Sequence, residues 1–174
     1  MKKKIVITGG LGYIGTELCK IYSGVSWNNK VIVVDNRFIS ERVNQLTNWN
    51  IDFVHGDILD KDLINKFCKD ADIVHHLAGI TDVPRLKSES SDDKDAKIKL
   101  VAEEGTQNIL DAISNKCKII FPSTHVVYEG IEKVKNNILE DENTKPLLSY
   151  AYSKAINEKQ LKNSGKNYII LRLG

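Results

Sequence analysis

Tyr150-Ala151-Tyr152-Ser153-Lys154 places a phenol and an ammonium four residues apart. On a helix such a pair shares one face. An ammonium beside a phenol favours the phenolate and lowers its pKa from about 10. Tyr150 would then exchange protons with a hydroxyl or carbonyl near neutral pH, and Lys154 could also hold a ribose hydroxyl. Tyr152 falls on another face. Taken alone, the pattern is equally that of an amphipathic surface helix. Thr124, in Pro122-Ser123-Thr124, follows an apolar run and could reach the same oxygen as Tyr150; the plainer reading is a hydroxyl bonding its own turn.

A second constellation lies near the start. Thr8-Gly9-Gly10-Leu11-Gly12-Tyr13-Ile14-Gly15 follows an apolar run and opens a helical pattern. Glycines at 9, 12 and 15, with Tyr13 and Ile14 between them, suit a tight turn, a close backbone approach to a diphosphate and close helix packing. A helix N-terminus there offers free N–H groups and a positive dipole end. Asp35 ends the second apolar run, 20 positions after Gly15. Its carboxylate can accept from ribose hydroxyls, with Asn36 beside it, and would repel a 2′-phosphate, which favours NAD over NADP. Arg37 could soften that exclusion. Asp57 could accept from an adenine amino group with Ile58 against the ring; the plainer reading of Asp57 is a helix cap. Leu77, Ala78 and Gly79 end the fourth run, where small residues let a cofactor pass. His75 and His76 have no partners at metal spacing, so no metal site is expected.

The elements that must position these groups follow from periodicity. Val- and Ile-rich runs at Lys4–Thr8, Val31–Asp35, Ile51–His55, Ile73–Leu77, Ile119–Phe121 and Tyr168–Leu171 are continuous rather than alternating, as in strands covered on both faces. Helical patterns fill Gly12–Ser23, Asp60–Lys69, Lys97–Ser114 and Ser149–Ser164, with apolar stripes expected to be core. In the first of these the stripe is Ile14, Leu18, Ile21 and Tyr22. Strands alternating with helices predict an α/β fold with a doubly wound parallel sheet. Pro84, Pro122 and Pro146 are expected at or beyond strand ends. Ser88–Lys97 reads as a loop or the exposed start of a helix, and Glu129–Lys145 as a long polar loop.

Length and composition set the outer bounds. The 174 residues suit one domain, 1–174, and 41% hydrophobic with 28% charged residues is ordinary for a soluble globular chain. A net charge of +2 argues against nucleic acid as the default partner. No run approaches the ~18 apolar residues of a membrane span, and Ile5-Val6-Ile7 is too short for a secretory signal. Cys19, Cys68 and Cys117 read as small buried thiols of a cytoplasmic protein.

Together these parts resemble the extended short-chain dehydrogenase/reductases, the NAD-dependent epimerases and dehydratases that act mainly on nucleotide sugars. The motifs are Gly9-Gly10-x-Gly12-Tyr13-Ile14-Gly15, Asp35, Gly56-Asp57, His76-Leu77-Ala78, Gly105-Thr106-x-Asn108, Ser123-Thr124-x-x-Val127-Tyr128, Tyr150-x-x-x-Lys154 and Arg172. The resemblance implies a Rossmann-like domain, NAD as cofactor and Tyr150 as acid/base. Lys154 would be its activator and ribose ligand, and Thr124 the third catalytic member. It also implies a nucleotide-sugar substrate and a homodimer. Three departures stand out: Ala102 replaces a frequent Asn, Glu129 replaces the usual glycine, and His125-Val126 lacks the Asp-Glu pair of the 4,6-dehydratases. The family continues well past this length, so the substrate domain is expected to be largely absent, as in a gene fragment carrying the cofactor half. The alternatives are a non-catalytic dinucleotide-binding module and an NADP-dependent reductase of small carbonyls.

Overall fold

The computed structural model describes residues 2–81, 91–132 and 136–174. Six strands run β1 Lys4–Thr8, β2 Lys30–Asp35, β3 Asp52–His55, β4 Ile73–His76, β5 Lys118–Thr124 and β6 Asn167–Leu173. They form one sheet in the order β3-β2-β1-β4-β5-β6, and every neighbouring pair is parallel. The helices are α1 Tyr13–Ser23, α2 Ser40–Asn48, α3 Lys61–Cys68, α4 Asp92–Ala112 and α5 Ser149–Asn163. A short 3₁₀ turn covers His125–Tyr128.

Alternate side chains of the central strands feed two cores. Ile5, Ile7, Val31 and Val33 pack with Leu11, Cys19 and Leu46 on the α1–α2 side. Val6, Ile32, Val34, Val74, Ile119 and Phe121 pack with Ile64, Ile109 and Leu161 on the α3–α4–α5 side. Both faces are therefore covered, as the doubly wound expectation requires. Strand order reverses between β1 and β4, and a crevice opens there beyond the carboxyl ends of the strands.

The edges depart from the expectation of full burial. Asp52 and His55 of β3 and most of β6 are exposed, because an edge strand has a neighbour on one side only. Helix α2 escaped the periodicity reading because Leu46 is its one buried residue. Helix α4 starts at Asp92, so the described part of Ser88–Lys97 is the exposed start of a helix rather than a loop. Ser91 caps it by accepting from Lys94 N, and Asp92, Asp93 and Asp95 complement the dipole of its first turn. The α1 stripe is corrected too: Ile14 is 48% and Ile21 73% exposed, while Gly15 and Cys19 are buried.

Pro122 lies inside β5 rather than at its end. The β4 register stops at Ile120, so the missing N–H falls where only β6 is paired. Pro84 and Ser88–Ser90 lie outside the described residues. Cys19, Cys68 and Cys117 are buried and free, and burial pushes their thiols up to about 12, 12 and 11.

Candidate functional site

A cleft of about 880 Å³ opens over the β1/β4 switch point. Gly9, Gly12, Tyr13, Ile14, Gly15, Asp35, Asn36, Asp57, Ile58, Leu77, Ala78, Gly79, Thr124, Tyr150 and Lys154 all line it. The structure thus brings together the residues singled out from sequence.

The glycine end is made of main chain. Gly9 turns with φ +70°, and a Cβ there would sit 2.7 Å from the Ala78 backbone. Position 9 therefore requires glycine on both conformational and steric grounds. A Cβ at Gly15 would lie 2.6 Å from Gly10 Cα and Gly9 O, so α1 can approach the turn only with glycine there. Gly12 begins α1, whose first turn contains no acid. Its unpaired N–H groups and dipole end are left for an anion.

Asp35 is buried at the end of β2. Its Oδ2 accepts from Leu11 N at 2.9 Å. Its Oδ1 accepts from Arg37 N at 3.0 Å and Arg37 Nε at 3.2 Å. Asn36 Nδ2 donates to Asp57 Oδ2 at 2.8 Å, and Asp57 Oδ1 accepts from Leu59 N at 3.0 Å. Asp57 is therefore not the cap of α3; Asp60 caps it, accepting from Leu63 N at 3.0 Å. Ile58 belongs to the core and meets the cleft from beneath. Gly105 on α4 leaves room for it, and Asn108 Nδ2 donates to Ile58 O at 3.0 Å.

The tyrosine end is made of side chains. Lys154 Nζ donates to Pro122 O at 2.9 Å and lies 4.5 Å from the centre of the Phe121 ring. It is 5.8 Å from the centre of the Tyr150 ring, so the pair does share a face. Burial pulls the Lys154 ammonium down to about 8. Burial also raises the Tyr150 phenol above its ordinary value. This corrects the expectation that Lys154 lowers it: the ammonium is aimed at Pro122 O, and desolvation of the phenolate wins. Thr124 Oγ1 accepts from Val126 N at 3.3 Å, the local turn role, while the residue still lines the cleft. Tyr152 is exposed and lies outside the cleft.

Helix α5 is unusual in burying Ser153, Lys154, Asn157 and Glu158. Glu158 pairs with Arg172 of β6, Oε1 to Nε at 2.9 Å and Oε2 to Nη2 at 2.6 Å. Ser123 Oγ donates to Glu158 Oε1 at 2.6 Å. These partners hold the Glu158 carboxyl below its ordinary value despite burial. Arg172 also donates to Tyr128 Oη and to Glu140 O. His76 bridges Thr8 Oγ1 at 3.0 Å and Thr106 Oγ1 at 2.9 Å, and Asn157 Nδ2 joins the same Thr106 hydroxyl at 2.9 Å. At the departure Ala102, the backbone carbonyl accepts from Asn157 Nδ2 at 2.8 Å. Burial lowers His76 to about 3 and His75 to about 4. Among the described residues no group of three potential metal ligands occurs.

Glu158 and Glu129 stand outside the cleft but position its elements, and the sequence reading did not single them out for that. The signal for Glu158 was a carboxylate four residues after Lys154, on the Tyr150 face. Glu129 was noted only as a departure. Its Oε1 accepts from Leu147 N at 2.6 Å and Leu148 N at 2.7 Å. Leu148 begins α5 and makes no side-chain cap of its own. Glu129 therefore fixes the entry to the helix that carries Tyr150.

The fold and the cleft define a doubly wound α/β domain with a switch-point binding site. The sequence matches the NAD dependent epimerase/dehydratase family over residues 5–174, and the chain belongs to that family. It is 35% identical over 132 residues to the UDP-N-acetyl-alpha-D-glucosaminuronate decarboxylase of Bacillus cytotoxicus, covering 74% of this chain and 38% of the relative. The UDP-N-acetylglucosamine 4-epimerase of Methanobrevibacter ruminantium M1, solved with UDP-N-acetylmuramic acid, superposes with a TM-score of 0.79 at 31% identity, over 99% of this chain and 55% of that one. The UDP-glucose 4-epimerase of Brucella ovis, solved with NAD, gives 0.76 at 29% identity, over 98% and 51%. The chain thus spans about half the length of these structures and less of the curated relative. Among the described residues no helix is long and apolar enough to cross a membrane.

Proposed function

We propose that residues 1–174 form an NAD-binding domain carrying the catalytic helix of an epimerase/dehydratase-type enzyme acting on a nucleotide sugar by reversible hydride transfer. The observation that carries this reading is convergence: Thr124, Tyr150 and Lys154 line the same cleft as the glycine turn and Asp35. The residues fit the cofactor, because the backbone at Gly9 and Gly15 leaves no room for a Cβ and α1 opens on the cleft without an acid. The α1 N-terminus and Gly12 would hold the diphosphate, Asp35 a ribose, and Lys154 the second ribose.

Bound NAD would supply the hydride acceptor and donor. The chain's own part is proton handling. Tyr150 Oη takes the proton from a sugar hydroxyl as the carbon is oxidised and returns it on reduction. Thr124 Oγ1 donates to the same sugar oxygen. Burial raises the Tyr150 phenol above its ordinary value, which opposes its loss of the proton.

The three buried thiols support a reducing, cytoplasmic setting. A homodimer through two helices of this domain follows from the family resemblance. Tyr150→Phe in the full-length enzyme is expected to abolish turnover while sparing NAD binding by calorimetry. Turnover retained by that variant overturns the role of Tyr150.

A further inference from the structure

His76 is absent from the cleft lining, yet its ring stands between the two ends of the cleft. It closes β4, just before the Leu77–Ala78 backbone that packs on Gly9. Its Nδ1 lies 3.0 Å from Thr8 Oγ1, and the same oxygen accepts from Ala78 N at 3.3 Å. One side of the ring is therefore tied to the residue that leads into the glycine turn. On the other side Nε2 lies 2.9 Å from Thr106 Oγ1 of α4. Asn157 Nδ2 donates to that oxygen at 2.9 Å and to Ala102 O at 2.8 Å. Asn157 follows Lys154 by three residues, on the same face of α5.

A second route joins the same two residues. The His76 and Phe121 ring centres are 5.6 Å apart, and Lys154 Nζ stands 4.5 Å from the Phe121 centre. Thr8, His76, Thr106, Phe121, Lys154 and Asn157 are all buried. In such a place a broken hydrogen bond leaves a desolvated group unpaired, so the chain of contacts holds one arrangement. Burial and, after it, the charge of Lys154 keep the His76 ring neutral. A neutral imidazole donates through one nitrogen and accepts through the other, so it can link two hydroxyls in series.

We infer that His76 is a positioning residue for Lys154. It ties the glycine turn to α5 through Thr8, Thr106 and Asn157, and so holds the ammonium within reach of a ligand anchored at the turn. The inference deepens the reading of the cleft as a dinucleotide site with Lys154 on the second ribose, and rests on it. A ligand that stops at the diphosphate is then indifferent to His76, and one that reaches the second ribose is not.

The test is calorimetric titration of the 174-residue chain with ADP, which ends at the diphosphate, and with NAD, which carries the second ribose. Circular dichroism confirms the fold of each variant. In His76→Phe, NAD should bind about tenfold more weakly while ADP stays within about twofold of the parent. His76→Gln, which restores a donor and an acceptor, should recover most of the NAD affinity. Lys154→Met should weaken NAD by itself, and adding His76→Phe to it should cost less than about a further twofold, because the two act through one contact. Should His76→Phe not fold, Thr106→Val cuts the same chain with the side-chain shape kept and carries the same expectation. Equal weakening of ADP and NAD, unchanged NAD affinity, or additive losses in the double variant each overturn the positioning role. Unchanged NAD affinity in Lys154→Met overturns the placing of Lys154 on the ribose. A folded parent that binds neither ADP nor NAD overturns the dinucleotide reading itself.

Discussion

At the glycine end of the cleft the walls are main chain: Gly9 at φ +70°, the open first turn of α1 and the backbone of Ala78 close by. At the tyrosine end the lining is side chains, Thr124, Tyr150 and Lys154 among them; Lys154 on α5 reaches Pro122 O, and behind the lining Ser123 of β5 and Arg172 of β6 meet on Glu158. The turn itself is set by glycines in the right local order, and only its packing on the Ala78 backbone is long-range. The tyrosine end depends on side chains that must find one another, as Ser123 and Glu158 do across 35 residues. The first end is therefore rigid by sterics, and the second by a buried polar network whose members depend on one another.

The comparison breaks most sharply at Glu158. Glu158→Ala leaves Arg172 uncompensated and is expected to cost about 3–5 kcal/mol of stability in denaturant unfolding. A loss below ~1 kcal/mol would mean that the network is incidental. At the other end, Gly9→Val forces a branched side chain into the left-handed region and against Ala78. It should cost about 2–4 kcal/mol by overpacking and backbone strain and remove measurable NAD binding. Unaltered NAD binding would detach the turn from the ligand.

Acid separates the two ends further. His75 and His76 are held neutral in the fold, at about 4 and about 3, against an ordinary 6.5. Below pH 6.5 the unfolded chain binds protons that the native chain refuses. The stability is whole above 6.5 and falls as pH drops toward the folded values, by up to ~1.4 kcal/mol per pH unit for each histidine. Ring signals of His75 and His76 that titrate near 6.5 in the native state would contradict this. The smallest effect is expected at Glu129. Glu129→Ala removes the acceptor of Leu147 N and Leu148 N and should cost about 1 kcal/mol, as the loss of a helix cap does, with Glu129→Gln costing less. No difference between the two variants would remove Glu129 from the positioning of α5.

The same contrast explains what the sequence could reveal. The doubly wound parallel sheet, the two-faced core and the glycine turn follow from local patterns: Val-rich runs, helical stripes and glycines at 9, 12 and 15. The exposure of the edge strands, helix α2 and the exact start of α4 did not, because their apolar content is thin and caps such as Ser91 act through one hydrogen bond. Tyr150, Lys154 and Thr124 were legible by type and spacing. Their protonation was not, because it depends on burial: a hydrophobic pattern hides that α5 turns Ser153, Lys154, Asn157 and Glu158 inward. Ile14 belongs to two sequence patterns, the glycine turn and the α1 core stripe; it lines the cleft and is not core.

The central claim is that the main-chain end and the side-chain end form one ligand site. Titrating the isotope-labelled chain with NAD while following its amide NMR signals tests it most directly. The account predicts that Gly12, Gly15 and Asp35 shift together with Thr124, Tyr150 and Lys154, all with one dissociation constant. Shifts confined to the glycine turn, or to α5 alone, would contradict it.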